Sequence, residues 1–295
     1  MRTRVDIQFP DDRTWSRYGK GKGFESRDAW RRDNINSFVQ ALYQGVKAIK
    51  PGVVVGISPF GIWRSGVPSG VYGLDAFGEI YADSRKWLAE GWLDYIAPQL
   101  YWRVAGEQDR FRALDAWWQQ VNPKNRYVWP ALYTSKVYGA NDAWSIGEIH
   151  NQVAALRGSR VDTTGMPSAG HVHFRMNALF ADGGRLAQSL AEDYRERAIV
   201  PAFPWLGSEA PAAPVVTLVA GDGPAKFSIA PGDSVRVRWW VIQTRGSDTT
   251  WTTTIRHAGD GQVGAMAVGT TAPDEIAVTA IGVSGMASTA TVVVP

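Results

Sequence analysis

Apolar side chains recur at helical spacing over the first clear stretch of the chain. They begin after Ser26, a suitable N-cap residue, and stop before Pro51. The stripe consists of Trp30, Ile35, Phe38, Val39, Leu42, Val46 and Ile49. Residues 53–57 then form a nearly continuous β-branched run, which predicts a strand buried on both faces, as in a parallel sheet.

The same alternation of strand and helix patterns follows along the chain. Further strands are predicted at residues 95–101, 127–133 and 171–176. Four helices are predicted between and after these strands. The first carries Phe77 and Leu88 and ends at Gly91, and the second carries Leu114 and Trp118 and ends before Pro123. The third carries Ile149 and Val153 and begins at a Ser145–Glu148 capping box, and the fourth carries Leu186 and Leu190 and ends before Pro201. Such alternation indicates α/β architecture with a parallel sheet. Four βα units behind an orphan helix predict the C-terminal half of a (β/α)8 TIM barrel, whose full form takes ~250 residues. A smaller open sheet is the alternative.

The pattern changes at a Pro/Ala-rich linker, residues 208–214. Beyond it, short alternating or β-branched runs lie between Gly, Asp and Pro turns, as in a β-sandwich. Residues 275–288 resemble the last hairpin of a fibronectin type III-like module. We therefore expect a partial barrel at 1–207 and a fibronectin type III-like β-sandwich at 215–295.

Composition excludes several classes of protein. Charges of both signs are interspersed along the chain, and the net charge is +3. The basic pairs Arg31-Arg32 and Arg195 with Arg197 are therefore interpreted as solvated helix surface, and no nucleic-acid partner is expected. No apolar run approaches the ~20 residues of a membrane span. Cysteine is absent, which excludes thiolate metal sites and cysteine nucleophiles. The first residues lack the apolar stretch of a secretory signal peptide.

The 14 tryptophans, several in presumed loops, exceed what a core of this size needs. Sugar rings present flat C–H faces that stack on aromatic rings, and barrel sites lie at the carboxyl ends of the strands. Those ends give the candidate substrate-binding residues Trp63, Arg64, Gln99, Tyr101, Trp102, Tyr133 and His173. Alternatively, Pro59, Pro98 and Pro130 only shape the strand ends while the two tyrosines plug the barrel mouth.

Glycoside hydrolysis usually needs two carboxylates, and none follows a predicted strand directly. Asp94 precedes its strand, Asp75 suits a helix N-terminus, and Asp11-Asp12 suits a turn. The catalytic residues therefore stay unknown. His171 and His173 alternate in a predicted strand and should point to opposite faces, so no metal site is expected, and hydrolysis needs no cofactor.

Five strings of residues resemble the bacterial glycosyl-hydrolase-like 10 family. They are FPDDRTW at 9–15, WRRDNIN at 30–36, GISPFGIWR at 56–64, YADSRKW at 81–87 and GWLDYIAPQLYW at 91–102. The resemblance covers residues from about 4 to 206. It implies a (β/α)8 barrel, extracellular or periplasmic location, and hydrolysis of peptidoglycan glycan strands stripped of their peptides.

Family members carry an acidic strand-four segment and three further βα units upstream of the FPDD string, whereas this sequence begins just before it. The resemblance thus implies an N-terminally truncated barrel that lacks the catalytic acids. Open sheet edges would favour self-association. The competing hypothesis is a non-catalytic protein that binds a polysaccharide or glycan strand through its loop tryptophans.

Overall fold

A computed structural model describes residues 9–104, 110–158, 170–195, 197–219, 226–246, 250–259, 263–267 and 273–295. The chain divides into two compact units. Unit 1 comprises Met1–Ile49 and Val54–Leu186, and unit 2 comprises Lys50–Val53 and Ala187–Pro295. This division falls before the linker predicted at 208–214. The N-terminal segment that was considered for a signal peptide, residues 1–8, lies outside the described residues.

Unit 1 alternates helices with short strands, as the sequence pattern predicts. The helices are α1 Asp12–Tyr18, α2 Arg27–Ile49, α3 Ala76–Glu79, α4 Ser84–Glu90, α5 Arg110–Gln120, α6 Ile146–Gly158 and α7 Met176–Phe180, and α8 Arg185–Leu190 follows. The strands are β1 Gly56–Ile57, β2 Tyr95–Ile96, β3 Tyr127–Val128, β4 Ala131–Leu132 and β5 Val172–His173.

The strands of unit 1 pair in parallel. One sheet has the order β1-β2-β3, and β4 pairs with β5. Parallel bridges from Phe60 to Gln99 and from Gln99 to Ala131 continue the pairing past the ends of the first sheet. Neighbouring strands are therefore neighbours in sequence, and their carboxyl ends meet at one edge.

The strands are shorter than predicted, and the first one is less buried. Val53 and Val54 are exposed and precede β1, contrary to the expected strand at 53–57 buried on both faces. The reason is that β1 is the terminal strand of its sheet and has β2 on one side only. Gly56 leaves room for the Tyr95 ring, which a Cβ would approach to 2.0 Å.

The core of unit 1 lies between the helices and the sheet. Phe111, Leu114 and Trp118 of α5 are fully buried at positions i, i+3 and i+7, as one helix face requires. The predicted stripe of α2 divides instead: Trp30 and Val39 are buried, whereas Phe38, Leu42 and Ile49 are exposed. In the described part of the chain, no helix is long and apolar enough to cross a membrane.

Unit 2 contains an antiparallel β-sandwich. Its strands are β6 Val215–Val219, β7 Lys226–Ala230, β8 Val237–Arg245, β9 Trp251–His257, β10 Val263–Ala267, β11 Glu275–Gly282 and β12 Thr291–Val293. They form two sheets with the orders β10-β7-β6 and β12-β11-β8-β9. Phe227 and Ile229 of the first sheet pack with Trp240, Ile242 and Ile276 of the second.

Candidate functional site

The carboxyl ends of the parallel strands bring three aromatic rings together, which we call the strand-end cluster: Tyr101, Tyr133 and Phe174. The rings of Tyr101 and Tyr133 stack with their centroids 4.5 Å apart. Phe174 lies 5.7 Å from Tyr101 and 6.2 Å from Tyr133, and 45% of its surface is exposed. Three separate predicted strands thus converge on one aromatic surface that reaches solvent.

Polar side chains lie at the same strand ends. The Gln99 amide donates a hydrogen bond to the Ser58 carbonyl oxygen (3.3 Å), and the Thr134 hydroxyl lies 2.7 Å from Nδ1 of His173. Burial lowers the pKa of His173, so its imidazole is neutral at physiological pH. Amide, hydroxyl and neutral imidazole groups can all exchange hydrogen bonds with an uncharged, polyhydroxylated ligand.

Tyr101 of the strand-end cluster also stays uncharged. Burial, and then the neighbouring Tyr133 ring, raise the pKa of Tyr101 to about 12. At neutral pH this phenol is therefore a hydrogen-bond donor and acceptor attached to an apolar ring. Such a group is suited to sugar hydroxyls and ring faces more than to a charged ligand.

Trp63 lies in the core, which corrects the prediction that its ring offers a face to a ligand. It is 9% exposed, stacks on Trp117 with the centroids 5.9 Å apart, and donates its indole hydrogen to Asp83 (3.0 Å). Arg85 lies over the same ring. The loop after β1 turns this side chain toward α4 and α5, so its aromatic surface contacts protein.

Arg64 and Trp102 also differ from the strand-end cluster. Arg64 is exposed, lies 4.0 Å from Asp75, and covers the ring of Phe77. Trp102 is half-buried against the core of unit 1, and a Cβ on Gly61 would come within 3.0 Å of its ring. Of the seven predicted side chains, the structure therefore brings the rings of Tyr101 and Tyr133 into contact. Gln99 and His173 lie at the same strand ends, with Ser58 and Thr134 as their hydrogen-bond partners.

The two histidines of the β5 segment do not point apart as predicted. His171 precedes β5, and its ring lies edge-to-face on the ring of His173 with the centroids 5.1 Å apart. The prediction was wrong because residues i and i+2 of an extended segment line the same face, which places side chains two positions apart next to each other. Within the described residues, no cluster of three or more potential metal ligands occurs.

The carboxylates near the sheet have structural partners. Asp94 is fully buried and accepts hydrogen bonds from Tyr43 (2.9 Å), Lys47 (2.6 Å) and the Val55 amide (2.7 Å). It lies before β2, at the end opposite to the strand-end cluster, as predicted. Glu148 accepts from the Val104 amide at 2.8 Å. Both groups hold backbone segments in place.

A second concave region was missed by sequence reasoning. A cleft of about 1090 Å³ lies between α1, α2 and residues 74–81. At its wall, Asp11 accepts hydrogen bonds from Nε and Nη2 of Arg31 (2.7 and 2.8 Å) and from Arg27. Arg31 also donates to the Tyr81 hydroxyl (2.5 Å). The two arginines hold the pKa of Asp11 well below its usual range.

The sequence pattern predicts Asp11 in a turn. In the structure its carboxylate is buried at the N-terminus of α1. The available signal was the joint occurrence of the acidic string at 9–15 and the arginine-containing string at 30–36. Tyr81 adopts a positive φ of 59°, which is uncommon for a residue with a side chain. These residues form a second candidate surface, built around an ion network.

Comparison with known proteins identifies a family that matches the region containing most of these residues. Residues 3–145 match the family described as glycosyl hydrolase-like 10. The matched part of this chain belongs to that family. The matched region contains both the Asp11–Arg31–Tyr81 network and the strand-end residues up to Tyr133, while His173 and unit 2 lie beyond it.

Two curated relatives match parts of the chain. Glycosyl hydrolase YngK of Bacillus subtilis is 35% identical over 232 residues, 73% of this chain and 42% of that protein. Glycosyl hydrolase DigH of Escherichia coli K12 is 38% identical over 130 residues, 42% of this chain and 29% of that protein. The matched part of this chain thus spans less than half the length of either relative.

Among solved structures, the glycoside hydrolase domain of Endo-D from Streptococcus pneumoniae R6 aligns with a TM-score of 0.21 and 14% identity. The alignment covers 30% of this chain and 15% of that one. This likeness is too small to inform the fold or the site.

Proposed function

We propose that this chain is a glycoside hydrolase-like protein that binds cell-wall glycan strands, of the peptidoglycan type stripped of peptides, through the strand-end cluster. The supporting observation is the convergence of Tyr101, Tyr133 and Phe174 at the carboxyl ends of parallel strands, where Gln99 and His173 also lie. Rings and neutral hydrogen-bonding groups in one place complement the two kinds of surface that a sugar presents.

Two finer features of the architecture belong to the same proposal. The parallel pairing of β1 to β5 in sequence order supports a half of a (β/α)8 barrel in unit 1. The two antiparallel sheets of unit 2 support a fibronectin type III-like accessory module. An extracellular or periplasmic location follows from the proposed substrate, because cell-wall glycans lie outside the cytoplasmic membrane.

Hydrolysis and simple binding make different demands on the site. Hydrolysis requires an acid and a second carboxylate on either side of the scissile bond. Asp94 and Glu148 are both engaged in holding backbone amides, and Asp94 lies at the wrong end of the strands. This observation favours the alternative in which the chain, by itself, binds glycan strands without cleaving them.

Binding and hydrolysis can be measured on one polymer. The full chain is incubated with peptide-free glycan strands, and both the bound fraction and the release of reducing ends are followed. We expect binding, and a double variant Tyr101→Ala/Tyr133→Ala should weaken it about tenfold, because two ring contacts worth about 0.5–1.5 kcal/mol each are lost. Release of reducing ends would establish hydrolysis and overturn the non-catalytic alternative.

The matched control is Tyr18→Ala, because Tyr18 is 56% exposed on α1 and lies outside the strand-end cluster. It should bind like the parent. Tyr133→Phe keeps the ring and should lose less affinity than Tyr133→Ala. Equal binding by the parent and the Tyr101→Ala/Tyr133→Ala variant would refute the proposed role of the cluster.

A further inference from the structure

The outer face of strands β8 and β9 in unit 2 carries two tryptophans, Trp239 and Trp251. Trp240 and Ile242 point into the core, where they are 0% and 4% exposed. Since successive side chains on a strand alternate, the intervening positions point away from the core. We call this surface the tryptophan face. Its members are Trp239, Val241, Gln243 and Arg245 on β8 and Trp251, Thr253, Ile255 and His257 on β9.

Cross-strand register arranges these side chains in four rows. Trp239 faces His257 at one end, and Arg245 faces Trp251 at the other. Val241 with Ile255 and Gln243 with Thr253 form the rows between them. The two tryptophan rows are six residues apart, which corresponds to roughly 20 Å along an extended strand. The face thus has an aromatic ring near each end.

Both rings are held in place by neighbours. The imidazole of His257 lies edge-to-face on Trp239 with the centroids 5.0 Å apart. The Arg245 guanidinium lies over the Trp251 ring, 5.1 Å from its centroid, and pairs with Glu275 on β11. Trp251 is nevertheless 41% exposed. Fixed, solvent-facing rings lose little conformational freedom when a ligand stacks on them.

Hydrogen-bonding groups lie between the rings. The Gln243 amide and the Thr253 hydroxyl are 3.5 Å apart across the two strands. Amide and hydroxyl groups match the alternating donors and acceptors of sugar hydroxyls. Two separated rings with hydrogen-bonding groups between them suit an extended chain of several sugars better than a single small molecule.

We propose that the tryptophan face is a second glycan-binding surface, which holds an extended polysaccharide chain along β8 and β9. The ligand class rests on the proposed function of unit 1, but the surface is independent of the strand-end cluster. A chain held at two places on one polypeptide gains affinity through effective concentration. Unit 2 would thereby keep the protein on an insoluble polymer.

The test uses the full chain and a depletion isotherm on peptide-free glycan strands. Trp239→Ala/Trp251→Ala should raise the Kd about tenfold, because two stacking contacts are removed. Trp239→Phe/Trp251→Phe keeps aromatic rings and should stay within about threefold of the parent. Leu218→Ala is the matched control, since Leu218 is 40% exposed on β6 of the other sheet, and it should leave the Kd unchanged.

The outcomes separate this proposal from that for unit 1. If Tyr101→Ala/Tyr133→Ala binds like the parent while Trp239→Ala/Trp251→Ala does not, the tryptophan face stands and the strand-end cluster fails. An unchanged Kd for a folded tryptophan variant, checked by circular dichroism, overturns the tryptophan face. Conversion of a dimer to a monomer by this variant in light scattering, with glycan binding intact, would also overturn it and identify a self-association surface.

Discussion

The two ends of the parallel strands in unit 1 are built from different kinds of side chain. At the amino ends, the buried carboxylate of Asp94 joins Lys47, Tyr43 and the backbone amide before β1. At the carboxyl ends, Tyr101 and Tyr133 present stacked rings beside neutral polar groups. Buried charges thus hold the strands together at one end, while uncharged aromatic surface faces solvent at the other.

This difference teaches how to interpret acidic residues in such a fold. A carboxylate that accepts hydrogen bonds from a backbone amide and from a lysine has little capacity left for a substrate. Asp94 fits that description, and the Asp11 carboxylate is occupied in a similar way by the guanidinium groups of Arg27 and Arg31. The predictions below test whether these carboxylates stabilise the fold while the aromatic end tolerates change.

The largest effect is expected at the amino ends. Asp94→Asn should lower the free energy of unfolding by about 3–5 kcal/mol, because Lys47 would keep its charge in a buried site without the carboxylate. Urea unfolding followed by circular dichroism measures this loss. Asp12→Asn is the control, since Asp12 is 91% exposed in its ion pair with Arg27 and should cost at most about 1 kcal/mol. Equal urea midpoints for Asp94→Asn and the parent would show that the buried carboxylate at the amino ends does not stabilise the fold.

Sequence patterns predicted several local features of unit 1. Asp94 was placed before its strand, and Asp75 at a helix start, where its carboxylate accepts from the Gly78 amide (2.7 Å). Gly91 ends α4 in a left-handed conformation, as expected for a helix C-terminus. Each of these features depends on neighbours within a few residues, so the chain itself carries the signal.

Features that depend on distant contacts were not predictable. Trp63 lies in a loop, and its burial follows from the positions of α4 and α5, which no local pattern specifies. Asp11 and Arg31 are twenty positions apart and follow no common periodicity. The strand at 95–101 was predicted too long, because the irregular backbone after β2 looks like strand in its apolar composition. The strand predicted at 127–133 corresponds to two short strands, β3 and β4.

An intermediate effect is expected at Asp11. Its lowered pKa means that the folded state favours the charged form, so this contribution to stability is complete above the ordinary pKa of about 4 and is lost as the pH falls further. Asp11→Asn should cost about 1–3 kcal/mol at pH 7 and remove that part of the acid dependence. Unfolding free energies at a series of pH values from 7 downward give the comparison.

Asp28→Asn is the matched control for Asp11, because Asp28 also pairs with Arg31 (3.2 Å) but is 54% exposed. It should retain the acid dependence of the parent. An identical acid profile for Asp11→Asn and the parent would show that the buried ion network contributes nothing to stability.

The smallest effect compares one tyrosine from each end. The pKa of Tyr43 is raised to about 12 by burial and by its hydrogen bond to Asp94, and that of Tyr101 to about 12 by burial and by Tyr133. Both folded values exceed the ordinary value of about 10, so each tyrosine contributes stability below pH 10 that is lost between pH 10 and 12. Phenylalanine at either position should flatten this alkaline loss relative to the parent.

At pH 7 the two variants should differ. Tyr43→Phe removes a hydrogen bond to a buried carboxylate and should cost about 1 kcal/mol, whereas Tyr101→Phe keeps the stacked ring and should cost less. Tyr18→Phe, on the exposed surface of α1, controls for the loss of a phenol as such. If Tyr101→Phe is the more destabilising of the two at pH 7, the aromatic end also holds the fold together, and the division of roles between the two strand ends is wrong.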